Sequence, residues 1–580
     1  MDKKPEAEMA SIPVRAEPAR SSGQPTDLPV MAPPVAFVAE GSAPAGTPAT
    51  AGESRPAARR AARGGLAAGL ISAVAVVVIT GAVVTYGSLT PAPMDARQLS
   101  PVLTAVPAGA STGVCPGPAR LLEGTATGTD PEFSAASSSA KTSVSAAVVG
   151  NPGAQLPASR LQELDGSEPV SFTNGAATAA PAAAEVRAGV IAGQGVDGIR
   201  ILQAEAQEGQ EASAAGLSTY SANDGDLSGT AAASCQEPAN DLWLAGATTT
   251  VGRTAVLVVT NPSSNPATVN LELFGGAGQI QAPGSRGLLV APGTSRSIVL
   301  AGLAPGEEQL SVHLRSAGGP VAAVIQQSVL RGLVPGGVDY ISPSTGPGVR
   351  QVMTGVDIQD PAAVAALTAT RGFGDAGPAL SITVPGTTDA VVEIKLFGQS
   401  GQQALPKGGV VTAKAGSLTQ VPLAGLPAGQ YTVLAESDVA FTATTRVARG
   451  TDSTKRSDLA WSPSSARLGS QHIVPVPANG SRTMVFGALD ARATISYTPV
   501  TANGALQPSA TLDIAGGTTG SVKVPESIGG SAVNAYVVSA AGDSVYGALL
   551  LTGADNDDVS VINLTPSAAG QEKVPVTLGY

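Results

Sequence analysis

Between Thr254 and Ser328 the apolar positions come in short bursts. TAVLVVTNPSSNPATVNLELFG is followed by GLLVAPGTSRSIVL, EQLSVHL and PVAAVIQQS. Each burst is rich in Val, Leu, Ile and Thr and ends at Asn-Pro, Gly-Gly or Pro-Gly. β-Branched residues suit a pleated surface, and turn residues at this spacing predict an antiparallel sandwich. Val269-Asn270-Leu271-Glu272-Leu273 alternates strictly, which gives one apolar face and one polar face.

The pattern repeats. ATVNLELFGGAGQ from Ala267 matches AVVEIKLFGQSGQ from Ala390, and LAGLAPG from Leu300 matches LAGLPAG from Leu423, both at an offset of 123. Arg331-Gly332 matches Arg449-Gly450, and Asp339 with Ser342-Pro343 matches Asp458 with Ser462-Pro463, at offsets near 119. A short deletion accounts for the change. A fainter third copy runs from Ser509 to Gly553. A unit of about 100–120 residues is too long for a propeller blade and suits a seven-stranded sandwich.

One stretch breaks the β pattern. GGLAAGLISAVAVVVITGAVVTY, residues 64–86, is 23 residues without a charge. As a helix it covers ~34 Å, enough to cross a hydrocarbon core of ~30 Å. Arg55, Arg59, Arg60 and Arg63 precede it, and no positive charge follows until Arg97. The positive-inside rule then places the N-terminus in the cytoplasm and the rest outside the cell membrane. A cleaved signal peptide is the competing reading, but its leader would be 63 residues long, well beyond the usual total of about 15–30. Gly65 and Gly69 form a GxxxG that would let two spans pack as a weak homodimer; small-residue composition alone also explains it.

These readings divide the chain into a disordered cytoplasmic tail (1–63), a transmembrane signal-anchor helix (64–86) and a Pro/Gly/Ser-rich stalk (87–113). A membrane-proximal β domain (114–240) and three β-sandwiches (241–338, 339–457 and 458–580) follow. The expected class is all-β: tandem immunoglobulin-like antiparallel sandwiches outside the membrane. Tracts of small residues after Phe133 dilute the pattern of the proximal domain.

Composition narrows the function. The net charge is −11. Residues 1–63 hold eight basic and seven acidic side chains, so the acidity belongs to the exported part. An acidic surface repels phosphate, which excludes nucleic acid as a natural partner. Two His (His313, His472) and two Cys (Cys115, Cys235) leave little for imidazole catalysis or multi-ligand zinc. Cys115 and Cys235 lie near the two ends of the proximal domain, in a compartment where disulfides persist. A bond between them is the expected arrangement; free thiols or an intermolecular bridge are the alternatives.

Short motifs add little. Gly109-Ala110-Ser111-Thr112-Gly113 fits GxSxG but sits in the stalk, without the strand-to-helix turn a nucleophile needs. Gly193 to Gly198 fits GxGxxG but lacks a βαβ setting, so a hairpin turn is expected. Asn223-Asp224-Gly225-Asp226 and Asp555-Asn556-Asp557-Asp558 fit no calcium-loop spacing and are expected as solvated turns. Trp243 and Trp461, at comparable repeat positions, are expected as core or inter-domain plugs, and the histidines as strand residues. No cofactor is expected.

VCPGPARLL from Val114, DLWLAGATTTVGRTAVLVVTNPSSNPATVNLELFG from Asp241 and GPVAAVIQQSVLRG from Gly319 resemble an uncharacterised family of actinobacterial single-span cell-envelope proteins with a β-rich extracytoplasmic region. The resemblance implies a non-catalytic, membrane-anchored structural or interaction protein that binds an envelope polymer or an envelope protein. Members often lie beside a membrane glycosyltransferase, which implies an alternative role as accessory subunit of such an enzyme or of an exporter.

Overall fold

A computed structural model describes residues 102–104, 109–123, 134–174, 185–207, 212–406, 408–553, 557–564 and 574–576. The expected tail, the span 64–86 with Gly65 and Gly69, Arg55, Arg59, Arg60 and Arg63, and most of the stalk lie outside these residues. Among the described residues no helix is long and apolar enough to cross a membrane.

Alternation predicts strands, and strands form: the fold is mostly β, built of antiparallel sheets that face each other in sandwich-like pairs. In the second unit the chain lays down Asp241–Ala247, Arg253–Asn261, Ala267–Gly275, Gly278–Ile280 (with Leu288–Val290), Thr294–Val299, Leu310–Gly318, Ala322–Arg331 and Val334–Ile341. The first strand pairs with the sixth, the sixth with the third and the third with the fourth. In the facing sheet the fifth pairs with the second, the second with the seventh and the seventh with the eighth. Leu244, Leu257, Leu273, Leu314 and Ile325 from both sheets fill the space between them.

The third and fourth units, from Gly348 to Pro463 and from His472 to Asn563, repeat this order. One difference has a local cause. In the second unit Gly318, at φ +92, precedes Gly319 and Pro320 and breaks the sixth strand from the seventh. The third unit has Asp438-Val439-Ala440 in that region, and a single strand, Gly429–Arg449, runs through both sheets. The region read as a proximal domain carries the same eight-strand order. Ser111–Cys115, Arg200–Ala204, Ser159–Glu163 and Val170–Ser171 form one sheet; Gly229–Ser234, Ser213–Ala222, Lys141–Val149 and Ala188–Gly195 form the other, with Thr173–Asn174 added at its edge.

Each unit ends in a closing strand: Gly229–Ser234, Val334–Ile341, Asp458–Pro463 and Val559–Asn563. These pair backwards, the second with Ala322–Arg331 and the third with Gly429–Arg449. A boundary at 338/339 therefore cuts a strand, and one at 457/458 detaches a closing strand from its sheet. The tandem array is also closed. The sheet holding the first strand of each unit packs on the facing sheet of the next, and Ile473, Val500 and Ala535 of the fourth unit pack on Ala147, Val149 and Val190 of the first. The four closing strands meet in cyclic order. Interfaces of this head-to-tail kind make a ring when the rotation closes.

Candidate functional site

Where the closing strands converge, two buried carboxyls tie the units together. Asp458 accepts the backbone N–H groups of Thr230, Val338 and Val559, one from each of the other closing strands. Asp339 accepts from Ala232, Trp461 and the Ser560 hydroxyl. Burial pushes the Asp339 carboxyl up to about 8, against the pull of these hydrogen bonds. Burial also pushes Asp458 well up, and the charge of Asp558 adds to it. This is a structural hub: both carboxyls are fully buried.

The interfaces between units are set by four side chains each, read off the strand register. In the second unit Trp243 and Glu272 flank His313 across the sheet, and Phe274 follows two residues after Glu272. Trp243 stacks on His313 with centroids 3.9 Å apart and on Phe274 at 5.7 Å. Both ring nitrogens of His313 face carboxylates, Nδ1 at 2.8 Å from Glu272 and Nε2 at 3.1 Å from Asp241. The Ser311 and Thr383 hydroxyls, 2.6 Å apart, join this face to the third unit. At the same register the third unit has Val352, Lys395, Leu434 and Phe397. There Val352, Leu434 and Phe397 bury against Leu489 and Tyr546 of the fourth. The fourth unit has Ile473, Thr498, Val537 and Val500, packed on the small residues of the first.

The first unit has Val114, Gln162, Ile201 and Leu164. These are smaller than the Trp–His–Phe stack, and the interface they leave with the second unit holds a cleft of about 1180 Å³. Its floor is aliphatic: Val256, Val258 and Val324 from the second unit, Val114 and Ile199 from the first. Its rim is polar, with Arg120, Glu163, Asp165, Asp197, Ser295 and Arg296. The segment after Cys115 crosses the second unit by side chain–backbone pairing. Gln326 accepts from the Arg120 N–H at 2.9 Å and donates to its carbonyl at 2.8 Å. Tyr340 donates to the Gly117 carbonyl at 2.7 Å, and burial pushes its phenol strongly up. Gln236 accepts from Ala323 N–H, while its buried Nε2 has no partner among the described residues. On the rim Arg200 reaches Glu163 at 2.9 Å and Asp197 at 3.4 Å. An aliphatic floor with a hydrogen-bonding rim is suited to holding a ligand. A smaller hollow of about 230 Å³ lies beside Gln279–Arg286.

Cys115 and Cys235 form a disulfide. It lies beside the cleft wall, where Val114 and Gln236 exchange both backbone hydrogen bonds. Ser111 begins the strand Ser111–Cys115, so it stands in a sheet and not in a stalk. Gly193 to Gly195 finish the strand Ala188–Gly195, and residues 196–199 cross to Arg200–Ala204 in the facing sheet, so the motif is not a hairpin turn within one sheet. Asp224 accepts from Ser137, Ser138 and Ser139, whose hydroxyls and the Ser138 N–H hold its carboxyl far below the usual range. That donor shell ties down a loop. Asp558 pairs with Arg456 at 2.8 Å, while residues 554–556 lie outside the described set. His472 Nε2 faces the Gly469 N–H at 2.5 Å. Trp461 is a plug: it enters the core of the second unit and donates from its indole to the Gly246 carbonyl at 3.1 Å. Among the described residues no group of three or more His, Cys, Asp or Glu is placed to hold a metal ion.

Fold and site together define a β-rich protein of paired antiparallel sheets whose distinguishing surface is an inter-unit cleft. The chain belongs to the Family of unknown function (DUF5719), which matches residues 190–525 and so touches all four units. No curated protein matches it. A solved structure titled "Biofilm associated protein - BSP domain" aligns with 83% of this chain and 100% of its own, at 10% identity and a TM-score of 0.12.

Proposed function

We propose that this is a membrane-anchored, extracytoplasmic structural and interaction protein of the cell envelope, non-catalytic, with four immunoglobulin-like sandwich domains forming a scaffold and the cleft serving as its binding place. The cleft carries the reading: three interfaces are filled by their own side chains, and the fourth is left open over an aliphatic floor. The uncharged stretch 64–86 behind Arg55, Arg59, Arg60 and Arg63 supports anchoring in the bilayer with the N-terminus inside. The disulfide suits the oxidising side of that membrane. Gly65 and Gly69 support a weak association of two spans.

The test is capture of envelope components by the tagged full-length chain in its own membrane, compared with a variant whose cleft is filled by Val258→Trp. Recovery of an envelope polymer or protein by the wild type and its loss with the variant supports the reading. Equal recovery by both, or by neither, overturns it. Exchanging 64–86 for an unrelated span separates the accessory role: loss of function with an intact cleft assigns the chain to a membrane enzyme or exporter.

A further inference from the structure

The cleft has a second feature beside its floor. The fifth strand of the second unit, Thr294–Val299, pairs on one side only, with Arg253–Asn261. Among the described residues nothing bonds to the backbone of its other edge, and Thr294 to Ser297 are all exposed. The corresponding strands of the next two units, Ser417–Pro422 and Thr518–Lys523, also end their sheets, but each lies against the unit before it. Ser417–Pro422 packs against the third and fourth strands of the second unit, and Thr518–Lys523 against those of the third. In the first unit the strands at that place are the short Ser159–Glu163 and Val170–Ser171; Leu164, next after the first of them, comes close to Gly293, and the cleft opens between Glu163–Asp165 and Ser295–Ser297.

Two of the closed interfaces show what chemistry completes this place: extended backbone lying near the fifth strand and an aromatic ring, Phe274 or Phe397, at the sheet face; the third has Val500 there. A sugar would need a flat aromatic platform, and the lining offers only Tyr340, buried and hydrogen-bonded to Gly117. Building on the cleft as binding place, we propose that its occupant is an extended segment of a protein partner. The segment adds as a strand to the free edge of Thr294–Val299 and sets an aromatic side chain over Val256, Val258 and Val324. Main-chain hydrogen bonds supply the binding and the cleft supplies the choice of side chain.

The probe is a fluorescein-labelled octapeptide, Thr-Val-Asn-Leu-Glu-Leu-Phe-Gly, copying residues 268–275, titrated against the full-length chain in detergent by fluorescence anisotropy. Three changes are each expected to weaken it by at least about tenfold: N-methylation of alternate peptide bonds, Phe→Ser in the peptide, and Val258→Trp in the protein. Val299→Asp, at an exposed position of the edge strand, guards against misfolding of the tryptophan variant and is expected to weaken binding as well. Equal binding of the N-methylated peptide overturns strand addition. Tighter binding of a hexamer of N-acetylglucosamine, lost with Val258→Trp, overturns the polypeptide assignment. Peptide binding without any envelope component recovered in the capture experiment leaves this inference standing and removes the proposed function. Capture sensitive to Val258→Trp, but without peptide binding, does the reverse.

Discussion

The interface between the second and third units and the one between the first and second have the same strand order, and they differ in what four side chains do. Trp243, His313 and Phe274 stack and close one; Val114, Ile201 and Leu164 leave about 1180 Å³ open in the other. The backbone thus sets where an interface falls, and side-chain volume sets whether it is filled. The open interface has a compensation. Its wall strand is tied covalently through Cys115 to the residue following the closing strand, whereas the closed one relies on packing.

That asymmetry breaks most visibly at the disulfide. Cys115→Ser with Cys235→Ser opens a 120-residue loop, and the chain-entropy account expects a loss of about 4–5 kcal/mol. Hydrogen exchange read by mass spectrometry should quicken in 111–123 and 229–240 and stay unchanged in 348–463. Uniform quickening would mean that the ring unfolds as one. Next in size is Trp243→Ala, which copies the cleft into the second interface. Removing a buried indole costs about 3–5 kcal/mol, measured by urea unfolding, and should create a new site for an apolar dye.

The hub offers a perturbation that both interfaces share. Asp339 sits at about 8 in the folded chain against 3.8 for a free side chain. A carboxyl raised on folding binds its proton more tightly in the folded state. Its stabilising contribution is therefore complete below about pH 4 and is lost as pH rises towards 8, by at most about 1.4 kcal/mol per pH unit. Asp339→Asn should reduce the slope of urea midpoints taken from pH 4 to 8, leaving the share that Asp458, also pushed up by burial, contributes. An unchanged slope would place the titration elsewhere.

The second and third units were legible because their repeats keep identical residues at the turn and the core: Phe274 with Phe397, Leu300 with Leu423. The first unit is legible as a β domain, but its strand order, shared with the other three, is not. Its core is assembled from small residues such as Ala146 and from Val144, Leu161 and the disulfide, so alternation is present with little amplitude. Only strand register equates Val114 with Trp243. A repeat offset fixes the period and leaves its starting point open, so a boundary at 338/339 falls inside Val334–Ile341 and one at 457/458 falls before Asp458–Pro463. The cleft left no motif in the chain: it is an absence of volume at positions brought together by two separate sheets. The tryptophans did signal their role, since large aromatics are scarce here and each marks a place where one unit enters the next.

The smallest expected effect addresses what closes the second interface. His313 joins two carboxylates, yet Leu434 holds the same register in the third unit beside Lys395. If shape governs, His313→Leu should shift stability by no more than about 1 kcal/mol. The stacking lost over Trp243 is offset by an aliphatic surface, and Asp241 and Glu272 are open enough to be hydrated. Adding Glu272→Lys, which reproduces the third unit's pair, should recover the remainder in a double-mutant cycle. A loss of about 3 kcal/mol or more from His313→Leu alone, restored by neither salt nor the second change, would give the closing role to the carboxylate–imidazole–carboxylate chain. The first interface would then be open for want of charge as well as of volume, and Ile201→His with Gln162→Glu would be the pair that narrows it.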